Sequence, residues 1–284
     1  MARQTSNEQA SGRRKRRPVY KGTLGFGLVS IPVAIHRAVA KKGVRFHEIH
    51  AEDGGRIHRH AVCENGGHPV SREHIVKGFE IERGRHVQVL PAEIEALSPA
   101  ASRRIEIDAF VDPGEIDPLF YDRSYYLVPA EGAGRSYALL REAMVARRKV
   151  AIARMVLRGK QLVAMIRPTG PAGRPGAALS IAILDYADEI LPEEELEGLP
   201  GPEVLLGDRE ISLAERLVDL YAARFEPERY HDEHREKLLA FLQQKAEGKP
   251  IAPEPPAAPP APEMNLVGAL EASLTEAEKQ KRAA

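Results

Sequence analysis

The densest set of groups able to do chemistry lies between Arg56 and His68, where His58, His60, Cys63 and His68 alternate with Arg56 and Arg59. Imidazole nitrogen and thiolate sulfur are soft ligands, so His60, Cys63 and His68 raise the question of zinc. A structural zinc site takes four ligands, usually in paired C-x2-C or H-x3-5-H spacing, and the position three after Cys63 is Gly66. With that pair broken, no metal is expected, and the segment reads instead as a groove or phosphate contact. Covalent catalysis has no better basis: there is no G-x-S-x-G, and Cys63 has no recognisable base partner. Residues 22–27 (GTLGFG) are glycine-rich but match neither G-x-G-x-x-G nor a phosphate loop, and they suit close strand packing or a bulge. The acidic run Glu193-Glu194-Glu195 lacks the alternating spacing of a calcium loop. No enzyme and no cofactor are expected.

What remains is charge, and it is segregated. Lys+Arg and Asp+Glu balance at 41 each over 284 residues. Residues 141–174, however, hold nine Lys/Arg against one acid, residues 1–60 hold thirteen against four, and residues 185–210 hold ten acids against one base. Such sorting suits a basic surface offered to a polyanion, with the acids kept elsewhere. Arg154 shares a strand face with Val150, Ile152 and Val156, where the alternative is a salt bridge over the core. Arg158 and Lys160 in a turn, and Arg147-Arg148-Lys149 at a helix-to-strand junction, are placed at one end of the same element. A rim of arginine and lysine suits duplex DNA held by its phosphates. Aromatic residues make up 5% with no Trp, which disfavours a stacking platform for single strands.

The elements that must position these groups are mostly strands. Order is expected from about Pro18, after a disordered basic arm over residues 1–17. Residues 19–39 are β-branched and glycine-rich, with Pro32 confined to an edge or an irregular position. RRIEIDAFV alternates with Ile105, Ile107, Ala109 and Val111 on one face, and YYLVP follows from Tyr125. Residues 149–157 and 161–168 read as a hairpin turning at Arg158-Gly159-Lys160, and residues 178–186 as a last strand. Short helices are expected at PAEIEAL after Pro91 and from about Ser136. The fold class is therefore mainly β (α+β), barrel or sandwich, over residues 18–190. An acidic linker (191–210) leads to two amphipathic helices (211–248), the first opened by a Ser212…Glu215 capping box. A Pro-rich spacer (249–263) precedes a tail helix (264–284) with Leu266, Leu270 and Leu274 at i, i+4, i+8. A lone helix that short is marginal in water, so the tail reads as a segment that folds on a partner. The single cysteine fits a reducing cytosol, and no apolar run approaches the roughly 20 residues of a membrane span.

A set of blocks in fixed order then resembles the bacterial Ku family. It opens with Tyr20-Lys-Gly-Thr-Leu-Gly-Phe-Gly-Leu-Val-Ser-Ile-Pro-Val and Phe46-His-Glu-Ile-His50 with Asp53-Gly. Ile75-Val-Lys-Gly-Phe-Glu80, Ser102-Arg-Arg-Ile-Glu-Ile107 and Glu115-Ile-Asp-Pro118 continue it. Tyr125-Tyr-Leu-Val-Pro129, Tyr137-Ala-Leu-Leu-Arg-Glu142, Val156-Leu-Arg-Gly159 and Tyr186-Ala-Asp-Glu189 complete it, so that the resemblance covers about residues 18–245. It implies a Ku-like β-barrel core with an extended β arm, followed by C-terminal helices. It further implies a homodimer whose arms close a ring around double-stranded DNA ends without reading sequence. An ATP-dependent end-joining DNA ligase is the implied protein partner, in non-homologous end joining, with a cytoplasmic, nucleoid-associated location and no membrane. The arm falls at about residues 50–89. Its Arg56, Arg59, Arg72, Lys77, Arg83 and Arg85 would face DNA together with Arg147, Arg148, Lys149, Arg154, Arg158 and Lys160. The helices over 212–247 would join the dimer or a ligase-facing surface, and the tail would serve ligase recruitment or DNA retention. Many relatives carry Trp at Tyr20 and a second cysteine at Gly66, and the tail here is only weakly basic (Lys279, Lys281, Arg282). The rival reading is a nucleoid-type protein that coats duplex DNA without preference for ends.

Overall fold

A computed structural model describes residues 17–97, 103–170, 174, 177–248 and 266–283. The described residues fall into two compact units, one running to Lys41 and again over Glu48–Pro192, the other taking Lys42–His47 and everything from Glu193.

The first unit is a closed seven-stranded barrel. Its strands are β1 (Tyr20–Phe26), β2 (Val29–Arg37), β5 (Arg104–Val111), β6 (Tyr121–Pro129), β7 (Val150–Leu157), β8 (Lys160–Pro168) and β9 (Leu179–Leu184). They run in the order β1-β2-β6-β9-β8-β7-β5, and a parallel pairing of β1 with β5 closes the ring. Closure leaves no free edge, and the mainly β expectation resolves to a barrel. Alternation puts Leu24, Ile31, Val33, Ile35, Ile105 and Leu127 inside, all essentially inaccessible to solvent. A second, outer cluster of Val150, Met165, Ala182 and Leu184 is covered by Val111, Ile116 and Phe120.

Two departures from simple alternation have local causes. Pro32 sits inside β2, but its carbonyl accepts from the Ala130 amide just beyond β6, so its missing N–H falls past the end of that ladder. In β5 the partner register skips Asp108, a bulge that turns Ala109 and Val111 away from the Ile105/Ile107 face. Of the expected single face of RRIEIDAFV, Ile105 and Ile107 thus stay in the barrel core, Val111 joins the outer cluster and Ala109 is exposed.

Helix α2 (Gly134–Arg147) begins two residues before the expected Ser136 and buries Tyr137, Leu140 and Met144 against the barrel core. Where β6 and β9 would exchange their last ladder bond, at Leu127 and Leu179, the Tyr137 hydroxyl is inserted instead. It accepts from the Leu179 amide at 2.5 Å and donates to the Leu127 carbonyl at 2.6 Å. Burial pushes the phenol's pKa up, a trend the Leu179 amide opposes. Tyr137→Phe leaves a buried amide and a buried carbonyl without their partner, a loss of about 1–3 kcal/mol. Urea unfolding of the two proteins checks this, and a difference within error would mean that the ladder closes without the phenol.

Between β2 and β5 the chain makes a long excursion containing β3 (Lys77–Glu82), β4 (Arg85–Val89) and α1 (Pro91–Leu97). Strands β3 and β4 form an isolated antiparallel hairpin.

The second unit holds α3 (Asp208–Tyr221), α4 (Glu233–Ala246) and α5 (Leu266–Ala283). Helix α3 starts one turn before the expected capping box. Gly207 is its N-cap, and the Glu210 carboxylate accepts from the Gly207 amide at 2.8 Å, leaving Ser212 in the helix interior. Helix α4 is capped by Asp232, whose side chain accepts from the Arg235 amide at 3.0 Å. The tail helix α5 packs along α3 of its own chain. The expected Pro-rich spacer (249–263) and all but the last residue of the expected basic arm (1–17) lie outside the described residues.

Candidate nucleic-acid interface

The twelve cations singled out in the sequence fall into two sets. In the barrel, β7 runs from the Arg147-Arg148-Lys149 junction to the Arg158 turn. Eight strand residues at about 3.3 Å each separate the two groups by roughly 26 Å. They therefore lie at opposite ends of β7 and not, as the spacing suggested, at one end. Arg148 caps α2 at φ 52°, and Arg158 opens the two-residue turn Arg158-Gly159 at φ 56°. These are the only non-glycine residues with positive φ among those described. The left-handed region disfavours a side chain with a Cβ, and a hairpin turn of this kind prefers Asn-Gly.

Two of the barrel cations are neutralised by neighbours. Arg154 makes a two-pronged pair with Asp108, Nε to Oδ2 and Nη2 to Oδ1, both at 2.7 Å. It stands on the outer face of β7 and not over the interior, and the β5 bulge is what supplies its partner. The arginine holds the Asp108 carboxyl below the usual carboxylate range, and the carboxylate raises the guanidinium in turn. Lys149 Nζ lies 2.9 Å from Asp112. Arg147, Arg148, Arg158 and Lys160 make no ion pair among the described residues.

The arm set behaves similarly. Arg59 is paired with Glu48 at 2.6 Å and Arg85 with Glu82 at 3.6 Å. Arg56, Arg72, Lys77 and Arg83 carry no ion pair among the described residues. Lys77 pairs with Val89 and Phe79 with Val87 across the hairpin, so this lysine shares the hairpin's apolar face.

The histidine-rich stretch folds into two short turns. One is closed by His50 and Gly55, the other by Cys63 and His68, whose backbone groups bond at 2.7 and 3.0 Å. His50 Nδ1 meets the Asp53 carboxylate at 2.9 Å. The Gly55 amide, and then His50, hold that carboxyl below its ordinary pKa. Among the described residues no three His, Cys, Asp or Glu side chains converge as a metal site would require.

A feature that charge alone did not reveal is the exposure of the arm. Over residues 48–97 every side chain is exposed except Cys63, Val70 and Val89, which are half-buried. Phe79 is 68% exposed, Val87 45% and Ile81 53%. A two-stranded hairpin is marginal by itself in water, and one with an apolar face open to solvent needs a cover. The alternation of KGFEIE and RHVQV carried that signal, but nothing in it told that no barrel side chain would fill the face. On the barrel, Phe26, Val29, Phe110 and Leu139 line an apolar groove with Arg147 and Lys149 on its wall. Among the described residues no helix is long and apolar enough to cross a membrane.

The sequence model of the family described as "Ku70/Ku80 beta-barrel domain" matches residues 25–205. A non-homologous end joining protein Ku of Anaeromyxobacter sp. (strain K) is 44% identical over 266 residues, 93% of this chain and 87% of that protein. Proteins of the same name are 34% identical in Heliobacterium modesticaldum, over 94% of each chain, and 33% identical in Bacillus subtilis, over 93% of this chain and 83% of that protein.

Proposed function

Since the chain belongs to the bacterial Ku family of non-homologous end joining proteins, we propose that it acts as a homodimeric ring that binds double-stranded DNA ends without sequence specificity and recruits an ATP-dependent DNA ligase. The observation that carries this reading is the bare arm. A segment of this length with no buried side chain and an apolar hairpin face is stable only against a partner, and a second copy offers the same face in return. Two arms meeting face to face enclose a space, and cations without an ion pair among the described residues, such as Arg56, Arg72, Arg83, Arg158 and Lys160, supply its inner charge.

The mechanism is electrostatic and topological. Phosphate contacts release counterions, so affinity falls with salt with a slope of about 0.9 per phosphate neutralised. Base edges are not read, because long flexible cations on a rim reach phosphates first. End dependence comes from closure, since a closed ring loads only at a terminus. No bond is made or broken in this step; the ligase does the chemistry. The C-terminal helices are the proposed ligase-facing surface, and the protein acts in the cytoplasm at the nucleoid.

Competition on a labelled linear duplex longer than about 40 base pairs tests the reading, at near-physiological salt where nonspecific contacts weaken. Unlabelled linear DNA should compete in proportion to its ends, and closed circular DNA of equal mass and sequence should barely compete. If circles compete equally per base pair, the coating-protein reading replaces the ring.

A further inference from the structure

Helices α3 and α5 form a parallel pair with coiled-coil spacing. Arg209 meets Glu271 at 2.8 Å and Arg216 approaches Glu278 at 3.9 Å. Both helices advance seven residues between the two pairs, so they run in the same direction and in register. On α5, Val267, Leu270, Leu274 and Ala277 follow the 3-4-3 spacing of such a seam, with Leu274 and Ala277 buried. On α3, Leu213, Leu217 and Leu220 face it, each half-buried.

A parallel pair within one chain needs a long connection or an intervening helix. Consecutive helices joined by short loops pack antiparallel. Here residues 222–265, α4 included, must bring the chain from the end of α3 back to its start. That closure costs entropy, and among the described residues the seam that offsets it is modest: Leu274 and Ala277 are buried, Val267 and Leu270 half-buried, and the partners of the two ion pairs are about half to three-quarters exposed. The same interactions form without change when α3 and α5 come from different copies, and the long connection gives α5 the reach.

We infer that α5 is an exchangeable clasp, seating on α3 of another copy of this chain through the same heptad seam and the same two arginine–glutamate pairs. The docking partner is thus a second copy, and α3 is the surface that receives it. If the copies sit on separate DNA ends, a consequence that rests on the end-binding reading above, exchange ties the ends together through protein alone.

The test uses full-length chains without DNA, so its result is independent of end binding. One variant carries Arg209→Glu and Arg216→Glu, the other Glu271→Lys and Glu278→Lys. Each alone sets like charges across the seam; mixed, α3 of the first matches α5 of the second. A zero-length carbodiimide then couples the carboxylate introduced at 209 to the amine introduced at 271, a linkage that arises only between copies. Mass spectrometry of the equimolar mixture should find it, with a yield at least about tenfold above that of a mixture whose second variant also carries Leu274→Asp. A single chain carrying all four changes shows whether the swapped seam forms at all. If that chain couples and the mixture does not, the seam is strictly internal and exchange is overturned. If neither couples, the pairing itself is absent and the inference fails with it.

Discussion

With the arms paired as proposed, Phe79→Asp is expected to convert the protein from two copies to one in sedimentation and to abolish a preference for DNA ends. Phe79 lies opposite Val87 on the open face of the β3–β4 hairpin. Burying a phenylalanine is worth about 1.5–3 kcal/mol. In a two-fold contact the residue counts twice, so the change removes about 3–6 kcal/mol, or roughly 10²–10⁴ in the dimer dissociation constant. The barrel should melt where it did before, because the arm lends no side chain to the core. That pairing of outcomes separates an interface residue from a folding one. A variant that stays dimeric would move the interface off the arms, and one that unfolds would give the hairpin a structural role in the barrel.

The second large effect is expected at the β7–β8 turn. Arg158→Glu with Lys160→Glu should weaken duplex binding at least tenfold near physiological salt and lower the salt slope by about 0.9 for each phosphate left unneutralised. Arg154→Ala should change affinity little, since Asp108 already neutralises that guanidinium. Asp108→Ala, by freeing it, should strengthen binding. Arg158→Asn supplies the control. Asparagine tolerates φ 56° better than arginine, so stability should hold or rise by up to about 1 kcal/mol while affinity falls. A side chain kept in an unfavourable backbone region at a cost in stability fits selection for what it touches. Filter binding against salt concentration for the four proteins decides it: equal losses from Arg154→Ala and from the turn reversal would show that ion pairing in the free protein does not govern which cations reach phosphate.

Much of this was legible in the residues. Hydropathy alternation located the barrel strands to within a few positions, and the ordered blocks pointed to the family, because both are carried by neighbours in sequence. What was not legible depended on register between distant strands. RRIEIDAFV alternates without interruption, yet the bulge at Asp108 takes its second half off the core face, with Val111 in the outer cluster, and brings a carboxylate to Arg154. No local pattern encodes that, since the bulge is settled by pairing with β7. The start of α3 was misplaced for a different reason: Ser212…Glu215 and Gly207…Glu210 offer competing caps three residues apart in each case, and the second adds a further turn of helix. The cations were individually visible, but which of them keep their charge free was not, because Glu48, Asp112 and Asp108 come from segments remote from their partners.

The way the barrel closes bears on how it is made. Strand β1 finds its parallel partner β5 only after the whole arm has been synthesised, and β2 must wait for β6. At about 5–20 residues per second the ribosome takes several seconds to deliver them. During that interval the β1–β2 hairpin hangs from the ribosome with both outer edges unpaired, in a cell full of other nascent strands. The arm that serves the assembled protein is thus a delay built into its birth. A version with the arm replaced by a short turn should fold faster and need less help from chaperones, though it would lack the face by which the proposed ring closes.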